Sequence, residues 1–127
     1  MMRYFIFVSL ALSLIACASS EDVRYYRLHP KALQRALKNC PDSHPRQIAC
    51  AELIKIADEV NTLAYQLQRD PQGFGNTILT SEAKLAELER DFKKNKAQSG
   101  LYTEIAQEKQ KIAEYLAIVQ WLESPGK

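Results

Sequence analysis

Cys40, His44 and Cys50, spaced C-x3-H-x5-C, are the residues of this chain from which metal or thiol chemistry would most readily be built. Thiolate and imidazole together suit zinc, but a structural zinc site needs four ligands. His29 is the only other histidine, it stands beyond a whole helical pattern, and the spacing matches none of the usual paired-ligand arrangements. The cysteines are therefore read as a pair, with His44 as a solvated turn residue and His29 as the residue leading into a proline-started helix. Nucleophilic catalysis needs a hydroxyl or thiol beside a histidine and an orienting acid. The one local grouping, Asp42-Ser43-His44, consists of neighbours in sequence, whose side chains rarely point at one another. Gly73-Phe74-Gly75 has no preceding strand, no third glycine and no Lys-Ser/Thr, so it is not a phosphate loop. Glu108 comes nearest to a carboxylate in an apolar pocket, the requirement for acid–base work. No catalytic, metal or cofactor constellation emerges, and the expectation is a protein that is not an enzyme and has no evident small-molecule substrate. A small secreted hydrolase or nuclease is a distant reading, and it would need an activity that depends on His29, His44 or Glu108.

The chain has 127 residues, and its start reads as an export signal. Met1-Met2-Arg3 gives a short positive region, and residues 4–15 (YFIFVSLALSLI) are uncharged and apolar. The small residues Ala16-Cys17-Ala18-Ser19-Ser20 follow, the arrangement of a secretory signal. The apolar run is shorter than the ~20 residues of a spanning helix. Leu14-Ile15-Ala16-Cys17 resembles a bacterial lipobox, in which cleavage falls before a cysteine that carries lipid. An alternative cut after Ala18, using Ala16 and Ala18 as an A-x-A site, would release a soluble periplasmic protein. On the lipobox reading residues 1–16 are removed and Cys17 becomes the lipidated N-terminus, leaving a mature chain of about 111 residues, one small domain. Two or three acyl chains hold a protein permanently where one holds only marginally. Ala18-Ser19 stand where an Asp would retain such a protein in the inner membrane under the enterobacterial sorting rule. The expected site is the periplasmic face of the outer membrane, with residues 17–28 as a tether.

Loss of Arg3 leaves sixteen basic side chains against fifteen acidic ones, which gives no electrostatic case for nucleic acid. The charge is uneven: Arg24 to Lys55 holds seven basic and two acidic residues, whereas the rest, to Lys127, holds nine and eleven. The part of the sequence next to the anchor is thus positive, which suits anionic headgroups or simply a solvated helix face. Arg90, Lys93, Lys94 and Lys96 form a second cluster, read as cations complementing the C-terminal end of a helix dipole.

Once Cys17 is committed to lipid, Cys40 and Cys50 remain, an even number in an oxidising compartment, and a disulfide is expected. Leu33, Ala36, Leu37 and Cys40 share one helical face behind Pro30, and Cys50, Leu53, Ile56, Ala57, Val60, Ala64 and Leu67 form another stripe. Pro41 to Pro45 divides them, with Asp42 or Ser43 as N-cap, so residues 29–70 predict a helical hairpin clipped near its bend, its second helix running from about Pro45 to Arg69. Residues 71–77 predict a loop anchored by Phe74. A third helix is expected from about Ile78 to Ala97, with Ile78, Leu85, Leu88 and Phe92 on one stripe, and a turn at Gln98-Ser99-Gly100. A fourth, from about Leu101 to Glu123, carries Ile105, Ile112 and Val119, so residues 78–123 predict a second, antiparallel hairpin. Glu108 interrupts its seam, as a register device, a partner site or a side chain that snorkels outward, the last being the expectation. Trp121 is either a docking residue or a packing residue against the first hairpin. No strand-like alternation persists beyond the signal. The expected fold class is all-α, two consecutive helical hairpins.

With Tyr25-Tyr26, His29-Pro30, Leu33, Leu37, Cys40 and Cys50 placed behind a lipobox, the sequence resembles the EexN family of small entry-exclusion lipoproteins. That family shows YY-x-x-HP-x-x-L after the lipobox, then a helix ending in Cys and a second Cys downstream. Here VRYYRLHPKALQRALKNC, followed by Cys50, has that form. The resemblance covers about residues 14–56, a third of the chain. It implies association with conjugative or type IV secretion systems, contact with their mating-pair proteins, and a block on redundant DNA transfer into a cell that already carries the element. It brings no catalytic residues. Family members are often little more than the clipped hairpin, and the added second hairpin makes an accessory lipoprotein of a secretion apparatus the alternative.

Overall fold

Helical periodicity is realised along the whole described chain, residues 20–40 and 48–124 of a computed structural model, and no strand occurs among them. Five helices follow one another: α1 (Ser20–Leu28), α2 (Pro30–Lys38), α3 (Cys50–Arg69), α4 (Pro71–Lys94) and α5 (Ser99–Glu123). None of them is long and apolar enough to cross a membrane.

The residues expected to act as a tether up to position 28 are helical from Ser20 onward. Glu21 and Asp22 in the first turn and Arg27 in the last complement the dipole of α1. Tyr26, almost fully buried, joins Val23 and Tyr25 against the core, and this aromatic burial turns a short polar segment into a packed helix. His29 then leaves helical backbone, because a residue before proline is driven from the α region. Pro30 restarts the chain at the first position of α2, where its missing N–H costs nothing.

The clipped hairpin forms as expected. Leu33 and Ala36 are buried, and Leu37 and Cys40 pack at the edge of the same cluster. Cys40 and Cys50 are joined by a disulfide, their Cα atoms 6.1 Å apart. The bond consumes both thiolates that a C-x3-H-x5-C metal site would have used. Asp42, Ser43, His44 and the expected helix start at Pro45 lie outside the described residues. Ile48 and Ala49 are not helical; Ile48 is drawn into the core, and α3 begins only at Cys50, its first turn bonding back to the Ala49 carbonyl. Leu53, Ile56, Val60 and Ala64 form the buried stripe of α3.

The expected loop over residues 71–77 is instead the start of α4. Asp70 alone breaks the chain, as the last residue after α3 and the N-cap of α4. Its carboxylate accepts from the Gly73 N–H at 3.0 Å, and Pro71 occupies the first helical turn. An Asp-Pro pair is a helix-starting signal in its own right. A Cβ at Gly73 would overlap the Asp70 carboxylate, so glycine here makes room for the cap. Phe74, the expected loop anchor, is a buried helical residue stacked on Tyr115 with ring centroids 4.6 Å apart. Gly100, placed in the next turn by sequence, lies in the first turn of α5, and the chain turns at residues 95–98 instead.

Helices α4 and α5 form the expected antiparallel hairpin, with Phe74 against Tyr115 near its base and Lys84 Nζ 3.5 Å from Glu108 Oε2 further out. Helix α1 lies along α5 in the same direction. Arg24 and Leu28 share a cleft with Ala106, Lys109, Gln110 and Ala113, Arg27 Nε is 3.9 Å from Glu114, and His29 lies beside Gln120 and Trp121. The main core gathers where α1, α2, α3 and the bases of α4 and α5 meet, around Leu33, Ile48, Leu53, Ile56 and Ile118. Beyond Ser81 the α4–α5 hairpin continues as an arm in which Leu85, Phe92, Leu101 and Ile105 are only half-buried.

Candidate functional site

Four residues singled out in the sequence, Tyr25, Tyr26, His29 and Pro30, come together at the corner between α1 and α2. Tyr26 turns inward and its ring meets the edge of Tyr25, centroids 5.4 Å apart at 76°. Tyr25, half-buried, stacks on the His29 imidazole at 4.2 Å and 20°. His29 Nδ1 lies 2.7 Å from the Tyr25 carbonyl oxygen. A carbonyl only accepts, so Nδ1 carries the proton and donates. The bond satisfies one of the carbonyls left open at the end of α1. The corner therefore has a physical grammar: proline ends one helix and starts another, histidine caps the first, and two touching tyrosines support it, Tyr26 buried and Tyr25 half-buried against His29.

The outer side of this corner is a groove. Tyr25, His29, Pro30 and Arg35 form one flank and Gln120 and Trp121 of α5 the other, around a cavity of about 280 Å³. Trp121 is half-buried: it packs against the core, as one of its two readings expects, and its remaining surface lines the groove. Aromatic faces with a cationic rim are the composition that protein contacts favour.

Arg27 was not singled out from sequence. It is paired with Glu59 of α3 and approaches Glu114 of α5 at 3.9 Å, and Glu114 also accepts from Gln110 Nε2 at 3.0 Å. One guanidinium thus ties α1 to two helices behind the corner. Its partners stand 32 and 87 positions away in the chain, beyond any local spacing rule.

Glu108 sits elsewhere, within the α4–α5 arm, and does not snorkel. It is 7% exposed, and Lys84, itself largely exposed, reaches in from α4 to pair with it. The position of His29 beside Gln120 puts roughly 18 Å of α5 between it and Glu108, so the structure does not bring these two titratable groups together. Among the described residues no group of three or more His, Cys, Asp or Glu side chains is placed to hold a metal ion. Cys17 and His44 lie outside the described residues. Comparison with protein-family models, with curated proteins and with solved structures returns no match for this chain.

Proposed function

We propose that this chain is a lipoprotein of the bacterial envelope, anchored through Cys17 at the periplasmic face of the outer membrane, that blocks redundant DNA transfer by binding a component of a conjugative or type IV secretion system. The observation that carries this reading is the corner groove. The residues of the YY-x-x-HP pattern do more than cap a helix: Tyr25, His29 and Pro30 also line an open, aromatic concavity completed by Trp121. Helix geometry alone does not call for Tyr25 and His29 there, whereas a docking surface for a protein partner does.

A second reading, an accessory lipoprotein of the secretion apparatus, is favoured by one feature. The α4–α5 arm, 24 and 25 residues in its two helices, adds surface beyond the part of the chain that resembles the family. Exclusion acts in a recipient that expresses this protein alone, whereas an assembly role requires the protein in the donor.

A photo-crosslinking residue at Gln120 on the groove flank, in cells carrying the transfer system, tests the contact. Covalent adducts with mating-pair or secretion-channel proteins are expected, and they should disappear when Arg35 on the opposite flank is changed to Glu. Adducts confined to unrelated envelope proteins, or unaffected by Arg35→Glu, would remove the groove as the contact surface.

A further inference from the structure

The direction of α1 decides which end of the molecule an anchor at Cys17 would hold to the bilayer. Because α1 runs parallel to α5, with Arg24 beside Ala106 and Gln110 and His29 beside Gln120, its first residue points toward the turn between α4 and α5. Ser20 is about 6 Å of helix before Arg24, and the start of α5 about 10 Å before Ala106. The three residues from Cys17 to Ser20 span at most about 10 Å. That reach is enough for an anchor at Cys17 to hold the end of the molecule that carries the tip of the arm, residues 95–98. Of the basic residues that follow it in sequence, Arg24 stays on this side beside Ala106 and Gln110, whereas Lys31 and Arg35 lie at the opposite end, beside Trp121.

At the tip, Arg90, Lys93, Lys94 and Lys96 are exposed. Glu87, Asp91 and Glu104 are the exposed acids beside them, and Glu89 is engaged by Lys109 at 3.7 Å, which leaves four cations against three exposed acids at the tip. Tyr102, 69% exposed on the first turns of α5, adds an aromatic ring of the kind that settles at headgroup level. Dipole complementarity accounts for cations in the last turn of α4, yet it does not require Lys96 beyond the helix or an exposed tyrosine across the turn. We propose that the α4–α5 turn is a membrane-contacting tip whose four cations sit among the headgroups of anionic phospholipid. Its orientation rests on the Cys17 anchor, while its charge and its exposed ring do not. With the tip seated, the corner groove at the far end of α5 faces away from the bilayer, toward a partner in the periplasm.

The test uses the mature chain from residue 17 with Cys17→Ser, which retains all five helices and has no lipid, sedimented with vesicles of phosphatidylcholine alone or with added phosphatidylglycerol. Binding is expected only with phosphatidylglycerol and is expected to fall as salt rises. The combined variant R90Q/K93Q/K94Q/K96Q should weaken it at least about tenfold, while K31Q/R35Q/K38Q on α2 should leave it intact, with helical circular dichroism unchanged in both. No preference for the anionic vesicles, or loss in the α2 variant with retention in the tip variant, would overturn the proposal. Fatty-acid labelling of Cys17 in cells reports the anchor separately. Vesicle binding without labelling leaves the tip surface standing and removes the anchor; labelling without vesicle binding does the reverse.

Discussion

Gly73 and Gly75 stand two residues apart in the first turns of α4, yet they do different things. Nothing lies near a Cβ built at Gly75, while one at Gly73 would displace the Asp70 carboxylate from its capping bond. Glycine inside a helix costs about 0.5–1 kcal/mol relative to alanine. Gly75→Ala should therefore raise the unfolding free energy by about that amount. Gly73→Ala should gain nothing, because the same propensity term is offset by a lost cap of about 1 kcal/mol. Urea denaturation of both variants checks this, and equal gains would show that the Asp70 cap contributes little. At this scale much was legible: the apolar stripes, the cysteine pair and the proline-started helix behind His29 follow from residue type and spacing, while Tyr25 stands out only through the family resemblance. Arg27 and the inward Glu108 were not, because each is decided by a partner that only the tertiary fold supplies, Glu59 and Glu114 for one and Lys84 for the other.

The elements differ in how firmly they are held. Helices α2 and α3 are short on one side and long on the other, and the disulfide at their junction closes a loop of 10 residues, worth about 2.5–3 kcal/mol in the chain-entropy account. Cys40→Ser/Cys50→Ser should lose about that much stability in denaturant, and a reductant should do the same to the unmodified chain but not to the variant. The arm has no such clip, and its seam residues Leu85, Phe92, Leu101 and Ile105 stay partly open to water. Amide exchange in residues 85–105 should consequently run faster than in residues 112–122, where Ala117 and Ile118 are buried; uniform protection along α5 would contradict that division. Element identity was legible because helical period persists over long stretches. Boundaries failed where one residue type has two uses. Pro71 with two nearby glycines was read as a loop, although Asp70-Pro71 is also a helix start. Residues 17–28 read as a tether because they open on small and charged types, although Tyr25 and Tyr26 among them bury enough surface to order the segment from Ser20 onward.

For the whole molecule, the fold rearranges a charge map that looks simple along the sequence. Lys31 and Arg35 of the positive stretch that follows the signal are folded away from α1's first residue, and a later cluster, Arg90 to Lys96, joins Arg24 toward that end. On the proposed reading the protein has two working ends, a basic tip toward the bilayer and an aromatic groove facing away from it, separated by the length of α5. Which end meets a partner was not legible in the sequence, since it depends on α1 running parallel to α5. The central claim, that this protein blocks redundant DNA transfer from a lipid-anchored position through its groove, is tested most directly by plasmid transfer into recipients that express it alone. Transfer frequency should fall in those recipients. Cys17→Ser should restore it, and so should Trp121→Ala, since loss of an anchoring aromatic costs about 2 kcal/mol or more of contact energy. Recipients that carry the protein in their envelope and accept the plasmid as often as recipients without it would contradict the account.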